Sequence, residues 1–375
     1  MPDRQLPTDD QPGDGDINAV VAGILQDMAW AQTSRQRLWG YKQAAKAIRH
    51  LDEPVNQLLQ PDGTLQRIPH IGPASSRIIH EILDHGQSAI VERAVAESEA
   101  RAEVERRRGL RSHFLSRAFT QQVLSANGHL SARYCGDLQM HSTWSDGSQT
   151  LEAIVAGCRA RSYSYAAVTD HSAGLPIAGG VSVERFEEQH REIDRINQSL
   201  SGTFRLLKGV EANIRADGVV DVEMNVRARF DVVVAAPHSG LRSPKPQTER
   251  MIAAVSTPGI HILGHPRGRI YGSRPGITAD WARVFAEAAR AGVAIEIDGD
   301  PSRQDLDFTL AQEAVAAGCL FALDSDAHAV SQLRYADFAL AHAALGRVPP
   351  DRIVNFWPLD RFLAWTSSRH AQSWR

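Results

Sequence analysis

The chain has 375 residues, of which 43% are hydrophobic and 23% are charged, and its formal net charge is −3. This composition is typical of a globular protein long enough for two domains, and it excludes disordered and fibrous classes. No apolar run approaches the ~20 residues of a membrane-spanning helix, and the N-terminus has no readable signal peptide. Three cysteines without a C-x-x-C pair exclude a disulfide framework. We therefore expect a cytoplasmic protein with no membrane partner and no globally basic surface for nucleic acid.

The N-terminal third of the chain predicts helices. Residues 1–16 are rich in Asp, Pro and Gly and predict a disordered tail. Residues 17–98 repeat apolar side chains every three to four positions, which predicts a small all-α domain. Residues 99–134 predict a helical linker, in which 101–117 hold six arginines and two glutamates. Such a charge run is usually a solvated helix face or linker, and a strip that faces DNA is the less common alternative.

From residue 135 to 365, short apolar strand patterns alternate with helical patterns. We expect strands near 135–140, 165–169, 205–212, 231–237, 260–264, 293–298 and 320–325. Helices are expected near 149–161, 182–199, 247–256, 279–291, 306–317 and 331–345. Seven parallel β/α units at this spacing favour an α/β fold that closes, or nearly closes, into a barrel.

Polar side chains follow nearly every predicted strand. In a β/α barrel the carboxyl ends of the strands share one rim, so these side chains should converge. They are Gln139, His141, Asp146, His171, Glu211, His238, His265, Asp326 and His328. Five imidazoles and three carboxylates without thiolates suit Zn²⁺, Mn²⁺ or Fe²⁺. Since this is too many ligands for one ion, the set predicts a multinuclear site of the kind that supports phosphoryl displacement. Histidines outside the set, such as His190, are interpreted as ordinary packing residues.

The ordered motifs resemble a known domain. They are GDLQMHSTWSDG (136–147), AVTDHS (167–172), GVE (209–211), PHS (237–239), GHP (264–266), EIDG (296–299) and SDAH (325–328). Together they are similar to the PHP (polymerase and histidinol phosphatase) domain, most closely to that of bacterial family X DNA polymerases. The resemblance implies a distorted seven-stranded β/α barrel with two or three divalent metal ions.

The resemblance also implies a ligand set for each ion. The first ion would be held by His141, Glu211 and Asp326, the second by Glu211, His238 and His265, and the third by Asp146, His171 and His328. The catalytic residues would be His141, Asp146, His171 and Glu211, around a water activated by the metal. Gln139 stands where most members have a histidine, and its amide oxygen would be a weaker, neutral ligand.

Members of this family hydrolyse phosphomonoesters or phosphodiesters, and those linked to polymerases process the 3′ ends of DNA. Candidate contacts to the substrate phosphate are Arg267, Arg269, Arg274 and Arg303. Each of these arginines could instead be an ordinary surface residue.

The N-terminal domain, 17–98, resembles the N-terminal helical domain of family X DNA polymerases. The matching stretches are LWGYKQAAKAIRHL (38–51) and IPHIGPASSRIIHEILDHG (68–86), of which the second has a helix-hairpin-helix pattern. This pattern implies contacts to the DNA backbone, independent of sequence, at Gly72, Ala74 and Ser75. The usual G-x-G turn is His70-Ile71-Gly72 here. Ile78 occupies the position of a Schiff-base lysine found in some relatives, which predicts no lyase activity. A packing or dimerisation domain without DNA affinity is the alternative.

No nucleotidyl-transfer motif separates the two modules, so we expect no polymerase activity. The main hypothesis is a metal-dependent phosphoesterase that acts on nucleic-acid ends, as a 3′–5′ exonuclease or a 3′-phosphatase, with DNA as its partner. One alternative is a small-molecule phosphomonoesterase of the histidinol-phosphatase type. Another is a non-catalytic DNA-binding protein. The oligomeric state stays open.

Overall fold

The computed structural model describes residues 15–371, which form two compact units. The first unit comprises the described residues up to Ala126 together with Tyr271–Ser273. The second comprises Asn127–Ile270 and the described residues from Arg274 onwards. Most of the predicted tail lies outside the described residues. Asp16, its last residue, is buried, and its side chain accepts a hydrogen bond from the N–H of Ala19 at the start of the first helix. Asp16 therefore belongs to the folded unit.

The first unit is helical. Its helices are α1 (Ile17–Trp30), α2 (Arg35–Arg49), α3 (Pro73–His85), α4 (Ala89–Ala96), α5 (Arg101–Gly109) and α6 (Arg117–Ala126). The buried core of this unit includes Leu25, Ile48, Ile79 and Val91, and Val104 of α5 joins the same core. The segment predicted as a linker is thus, as far as Ala126, a part of this unit.

The arginine-rich segment finds its partners within the first unit. Each of the six arginines pairs with a carboxylate: Arg101 with Glu105, Arg106 and Arg107 with Glu103, Arg108 with Asp27 and Glu92, Arg111 with Asp27, and Arg117 with Asp52. This pairing favours an internally neutralised helix surface over a strip that faces DNA.

The second unit is built on a parallel sheet whose strand order follows the chain order. The strands are β1 (Tyr165–Val168), β2 (Arg205–Asn213), β3 (Val232–Ala236), β4 (Ile262–Leu263), β5 (Ala294–Asp298) and β6 (Leu320–Asp324). The helices are α7 (Gly128–Ser131), α8 (Leu151–Ala160), α9 (Val183–Ser199), α10 (Met224–Arg227), α11 (Thr248–Ser256), α12 (Trp281–Ala291), α13 (Phe308–Ala317), α14 (Ala336–Leu345) and α15 (Leu359–Ala371). The six strands form a curled half-barrel with helices in the crossovers, as a parallel sheet requires. Between residues 15 and 371, no helix is both long and apolar enough to cross a bilayer.

The predicted strand at 135–140 is not a strand in the structure. The segment runs beside β1, where Asp137 O accepts from Ala167 N, and Met140 forms a single bridge with Ala327. Its own N–H groups bond side chains instead: Leu138 N donates to Asp324 Oδ1, and Met140 N donates to Thr169 Oγ1. Because these donors are taken by polar side chains, a regular ladder cannot form, and the expectation of seven strands is not met within residues 15–371.

Candidate metal centre

The parallel strands deliver the predicted ligands to one edge of the half-barrel. Glu211 lies within β2, and His171 follows β1 and forms a bridge with Glu211. His238, His265 and Asp326 each lie two residues beyond the end of β3, β4 and β6. Since the carboxyl ends of parallel strands meet at the same edge, residues far apart in sequence converge there.

Glu211 occupies the middle of the cluster. Its carboxylate is buried and four imidazoles surround it. The distances from Glu211 Oε1 are 2.9 Å to His265 Nε2 and 3.1 Å to His238 Nε2. From Oε2 they are 3.0 Å to His171 Nδ1 and 3.3 Å to His141 Nε2. A carboxylate in this position can bridge two cations, with different imidazoles on each of its oxygens.

Asp146 forms the second centre of the cluster. Its carboxylate lies 3.8 Å from His141 Nδ1, 3.6 Å from His171 Nε2 and 3.5 Å from His328 Nε2. Gly147 allows this approach, because a Cβ atom there would lie only 2.2 Å from the carbonyl oxygen of His141. The loop therefore folds back over His141 and presents Asp146 to the three imidazoles.

Three groups of side chains have the spacing of a metal site. They are His141, Asp146, His171 and His328; His171, Glu211 and His238; and His141, Glu211 and Asp326. In each group, one donor atom per residue lies within 4.8 Å of the others. The third group matches the set that the resemblance implies for the first ion. The first group contains the set implied for the third ion together with His141. In the second group, His171 joins Glu211 and His238 in the place where the resemblance implies His265.

Several buried donor atoms in the cluster have no hydrogen-bond partner among the described residues. They include Nδ1 of His171 and Oε2 of Glu211, although these two atoms lie only 3.0 Å apart. Nδ1 of His141 is also unpartnered. Buried polar atoms without partners are costly, and donors that face each other without hydrogen-bond geometry suit a shared cation. The nitrogen and oxygen donors thus fit divalent metal ions such as Zn²⁺ or Mn²⁺.

The charges of the cluster reinforce one another. Burial alone would raise the pKa of Glu211, but His171 and His238 outweigh it and hold that pKa well below its usual range. Burial alone would lower the pKa of His171, but Glu211 and Asp146 outweigh it and raise that pKa to about 9. Burial dominates at His238, whose pKa is lowered. A metal ion must displace the proton from a histidine with a raised pKa, such as His171. The affinity for metal should therefore rise with pH.

Two cluster residues have strained backbones. His265 has φ of 23° and Asp326 has φ of 49°, both in the left-handed region that favours glycine. Such conformations cost about 1–3 kcal/mol each and persist when surrounding contacts impose them. His265 N donates to Glu296 Oε2 at 2.5 Å, which is one such contact.

Sequence reasoning missed the residues that orient the cluster. Asn213 Oδ1 lies 3.2 Å from His238 Nδ1 and so directs the other ring nitrogen towards Glu211. Buried Asp170 accepts from Ser142 N and from Gln189 Nε2, which ties the loop after His141 to the segment of His171. Groups behind metal ligands commonly fix ring orientation in this way. The sequence does contain a signal for such orienting residues. It is an acidic residue within an apolar strand, such as Glu296 in the EIDG motif.

The four candidate phosphate arginines separate in the structure. Arg267 pairs with Asp305 and Asp307, and Arg269 pairs with Asp307 and the carbonyl of Gln304. Arg274 donates to the carbonyl of Gly268. Arg303 alone of the four contacts a cluster residue, since its Nη1 bonds Asp326. The sequence does not reveal this difference, because the carboxylates that engage Arg267 lie about forty positions away.

Gln139 is fully buried, and neither its Oε1 nor its Nε2 has a hydrogen-bond partner among the described residues. A Cβ atom at Gly264 would lie 3.3 Å from this Oε1, so the amide faces the start of the GHP motif. A buried, unsatisfied amide is costly, and a bound cation or water would satisfy it.

The hairpin turn of the first unit has the backbone that its pattern requires. His70 has φ of 67°, so it adopts the left-handed conformation at the position where the usual G-x-G pattern has its first glycine. Gly72 precedes α3 and no side chain caps that helix. Gly72 and Ala74 are exposed, whereas Ser75 is buried. The start of this helix is therefore exposed at Gly72 and Ala74, two members of the predicted DNA-contacting set.

Comparisons with known proteins support both units. A family model described as a helix-hairpin-helix domain matches residues 16–88. The DNA polymerase/3′-5′ exonuclease PolX of Bacillus subtilis is 34% identical over 221 residues, which is 59% of this chain but only 39% of that protein. A probable phosphatase of Serratia proteamaculans is 30% identical over 239 residues, covering 60% of this chain and 91% of that protein. A histidinol phosphate phosphatase structure from Lactococcus lactis aligns with a TM-score of 0.39 at 14% identity, over 55% of this chain and 92% of that one, which is too distant to inform the site.

The curled parallel sheet and its cluster of histidines and carboxylates define a metal-dependent hydrolase. The chain belongs to the PHP family of phosphoesterases and carries a helix-hairpin-helix domain before its PHP domain.

Proposed function

We propose that this protein is a phosphoesterase that acts on nucleic-acid ends, as a 3′–5′ exonuclease or a 3′-phosphatase. The observation that carries the proposal is the presence, in one chain, of the PHP cluster and a helix-hairpin-helix domain. The Bacillus subtilis relative, whose name includes 3′-5′ exonuclease, supports the same function. The hairpin would hold the nucleic-acid backbone at the exposed residues Gly72 and Ala74, through N–H groups at the start of α3 and without reading sequence.

We assign the metal ligands to the nine residues of the cluster, with Glu211 between sites and Gln139 as a neutral contributor. Two or three divalent ions there would supply Lewis acidity for attack by water on phosphorus. The exposure of the ligand side chains points to the route of the substrate. Side chains of Asp146 and His328 are 34% and 31% exposed, whereas that of Glu211 is fully buried. The phosphate would therefore approach from the side of Asp146 and His328.

Arg303 is the arginine we assign to the substrate phosphate. Its side chain is 27% exposed and bonds Asp326, so it stands beside the cluster and reaches solvent. A guanidinium in this position can balance the charge of a bound phosphate and of the developing transition state. Arg267 is half-buried and Arg269 is buried; both pair with carboxylates of Asp305 or Asp307, and we assign them to the support of the loop after β4.

A second candidate is a small-molecule phosphomonoesterase. It is favoured by the Serratia proteamaculans relative, a probable phosphatase of which the matched region covers 91%. Under this reading the first unit would contribute nothing to the choice of substrate.

The test uses 5′-labelled single-stranded DNA with either a 3′-hydroxyl or a 3′-phosphate, incubated with Mn²⁺ or Zn²⁺ and with an EDTA control. Shortening from the 3′ end, or loss of the 3′-phosphate, is expected only with metal. The His171→Ala variant should abolish either reaction. If DNA stays intact while p-nitrophenyl phosphate is hydrolysed, the small-molecule reading replaces this one.

A further inference from the structure

A cleft in the first unit is lined by positively charged side chains, and no residue of the hairpin turn lines it. Its volume is about 440 Å³, within the usual range of ligand pockets. The residues that carry its chemistry are Trp30, Lys42, Lys46, Arg49, Arg107 and Tyr271, all within the first unit. None of the described residues that line the cleft is acidic. We call it the lysine cleft.

The two lysines differ from the arginines of the arginine-rich segment in the same unit. The six arginines of 101–117 all pair with carboxylates, including Arg107 with Glu103. Among the lysines of residues 15–371, Lys208 forms an ion pair, with Asp194. Lys42 and Lys46 have no carboxylate within 4.0 Å among the described residues. The positive charge at Lys42 and Lys46 is therefore not neutralised locally.

Aromatic rings hold the cations of the cleft in place. The ammonium of Lys42 lies 4.0 Å from the centre of the Trp30 ring, and the guanidinium of Arg107 lies 3.8 Å from it. Arg49 lies 4.2 Å from the centre of the Tyr271 ring. Burial and the nearby Arg107 lower the pKa of Lys42, so a bound anion would stabilise its charged form.

The cleft also contains a donor that lacks an acceptor. The indole Nε1 of Trp30 is buried and has no hydrogen-bond partner among the described residues. An oxygen of a ligand in the cleft would satisfy it. Ammonium groups, guanidinium groups and an N–H donor, with no acidic neighbour in the lining, select an oxyanion such as a phosphate.

The shape of the charged row selects among phosphate ligands. Lys42, Lys46 and Arg49 stand at i, i+4 and i+7 and so share one face of α2. At 1.5 Å per residue, the row extends about 10 Å along the helix axis. This is longer than a single phosphate group and suits consecutive phosphates of an extended strand.

We propose that the lysine cleft binds the phosphodiester backbone of a single nucleic-acid strand. The proposal rests on the proposed function for its nucleic-acid substrate, and it places a second contact surface in the helical unit beside the hairpin. A basic groove with aromatic side chains is the usual means of holding a single strand without sequence preference.

Fluorescence anisotropy on the full chain, in EDTA to prevent cleavage, measures the affinity for a labelled single strand between about 50 and 200 mM salt. The Lys42→Gln/Lys46→Gln double variant should bind at least about tenfold more weakly at low salt. Each lost phosphate contact lowers the slope of log K against log salt by about 0.7, so the double variant should lose about 1.4. Trp30→Phe keeps an aromatic ring and removes the indole N–H, and should weaken binding a few-fold.

The matched control is Arg93→Gln/Lys245→Gln, which removes the same charge at two exposed positions outside the cleft. An unchanged slope in the cleft variant, or an equal loss in the control, would overturn the proposal. Displacement of the strand by inorganic phosphate at matched ionic strength would also overturn it, in favour of a small-anion site. Hydrolysis of p-nitrophenyl phosphate should be the same in all variants. If the wild type binds DNA through this cleft but never cleaves it, the proposed function fails and this inference stands.

Discussion

At the scale of single residues, Glu211 matters most because four imidazoles depend on it. Replacement by glutamine keeps the size of the side chain and removes the negative charge. The imidazoles on both carboxylate oxygens share that charge. We expect Glu211→Gln to lose at least about 100-fold in metal affinity, since even residues behind the ligands are commonly worth 10–100-fold. Isothermal titration with Mn²⁺ or Zn²⁺, and metal content by mass spectrometry, measure this loss. Glu249→Gln, at an exposed carboxylate paired with Arg283, is the control. Normal metal content in Glu211→Gln would contradict the bridging role.

At the scale of elements, α9 carries a histidine that should make stability depend on pH. His190 packs against the rings of Phe186 and Phe230. Burial, helped by Lys208, lowers its pKa to about 4. Below about pH 6.5 the unfolded chain protonates this histidine, whereas the folded chain does so only near pH 4. The free energy of unfolding therefore decreases as the pH drops from 6.5 towards 4. At 1.36 kcal/mol per pKa unit the limit is about 3 kcal/mol, and partial exposure of the ring reduces our expectation to about 1–2 kcal/mol.

Urea unfolding at pH 7.5 and pH 5.0 measures this contribution. The difference in unfolding free energy between the two pH values should be smaller in His190→Gln than in the wild type. His129→Gln, at an exposed position in α7, should leave the difference unchanged. Equal pH dependence in the wild type and His190→Gln would show that folding does not lower the pKa of this imidazole.

At the scale of the whole molecule, the two units predict two unfolding events of which one responds to metal. Ligands that bind only the folded state stabilise it by about 4 kcal/mol at a thousand times the Kd. The cluster lies entirely in the second unit. We therefore expect EDTA to lower one calorimetric transition by on the order of 10 °C and to leave the other in place. Far-ultraviolet circular dichroism would assign the insensitive transition to the helical unit. A shift of both transitions by the same amount would show that the chain unfolds as one cooperative block.

Much of this molecule could be predicted from local patterns. Strand runs such as VVVAA at β3 and the helical repeat at α9 are readable because backbone periodicity is a property of neighbouring residues. The polar residues that interrupt those runs, from His141 to His328, could be assigned to one edge because parallel strands share an edge. The helix-hairpin-helix pattern was readable for the same reason, since its turn and helix start are contiguous.

Other features depended on residues far away in the chain. The segment at 135–140 has the apolar alternation of a strand, yet Asp324 and Thr169 take its N–H groups. Arg267 and Arg303 lie in similarly polar loops. Arg267 forms an ion pair with Asp305, away from the cluster, whereas Arg303 forms one with Asp326, a cluster residue.

The sequence by itself therefore determined the order of the elements, the PHP motifs and the types of donor in the cluster. Only the tertiary structure decided that Glu211 stands among four histidines, that the arginines of 101–117 are already paired, and that Lys42 and Lys46 are not. The physical reason is the range of the interactions. Periodicity and turn chemistry act between neighbours, whereas ion pairs and shared ligands join side chains that the fold brings together from distant positions.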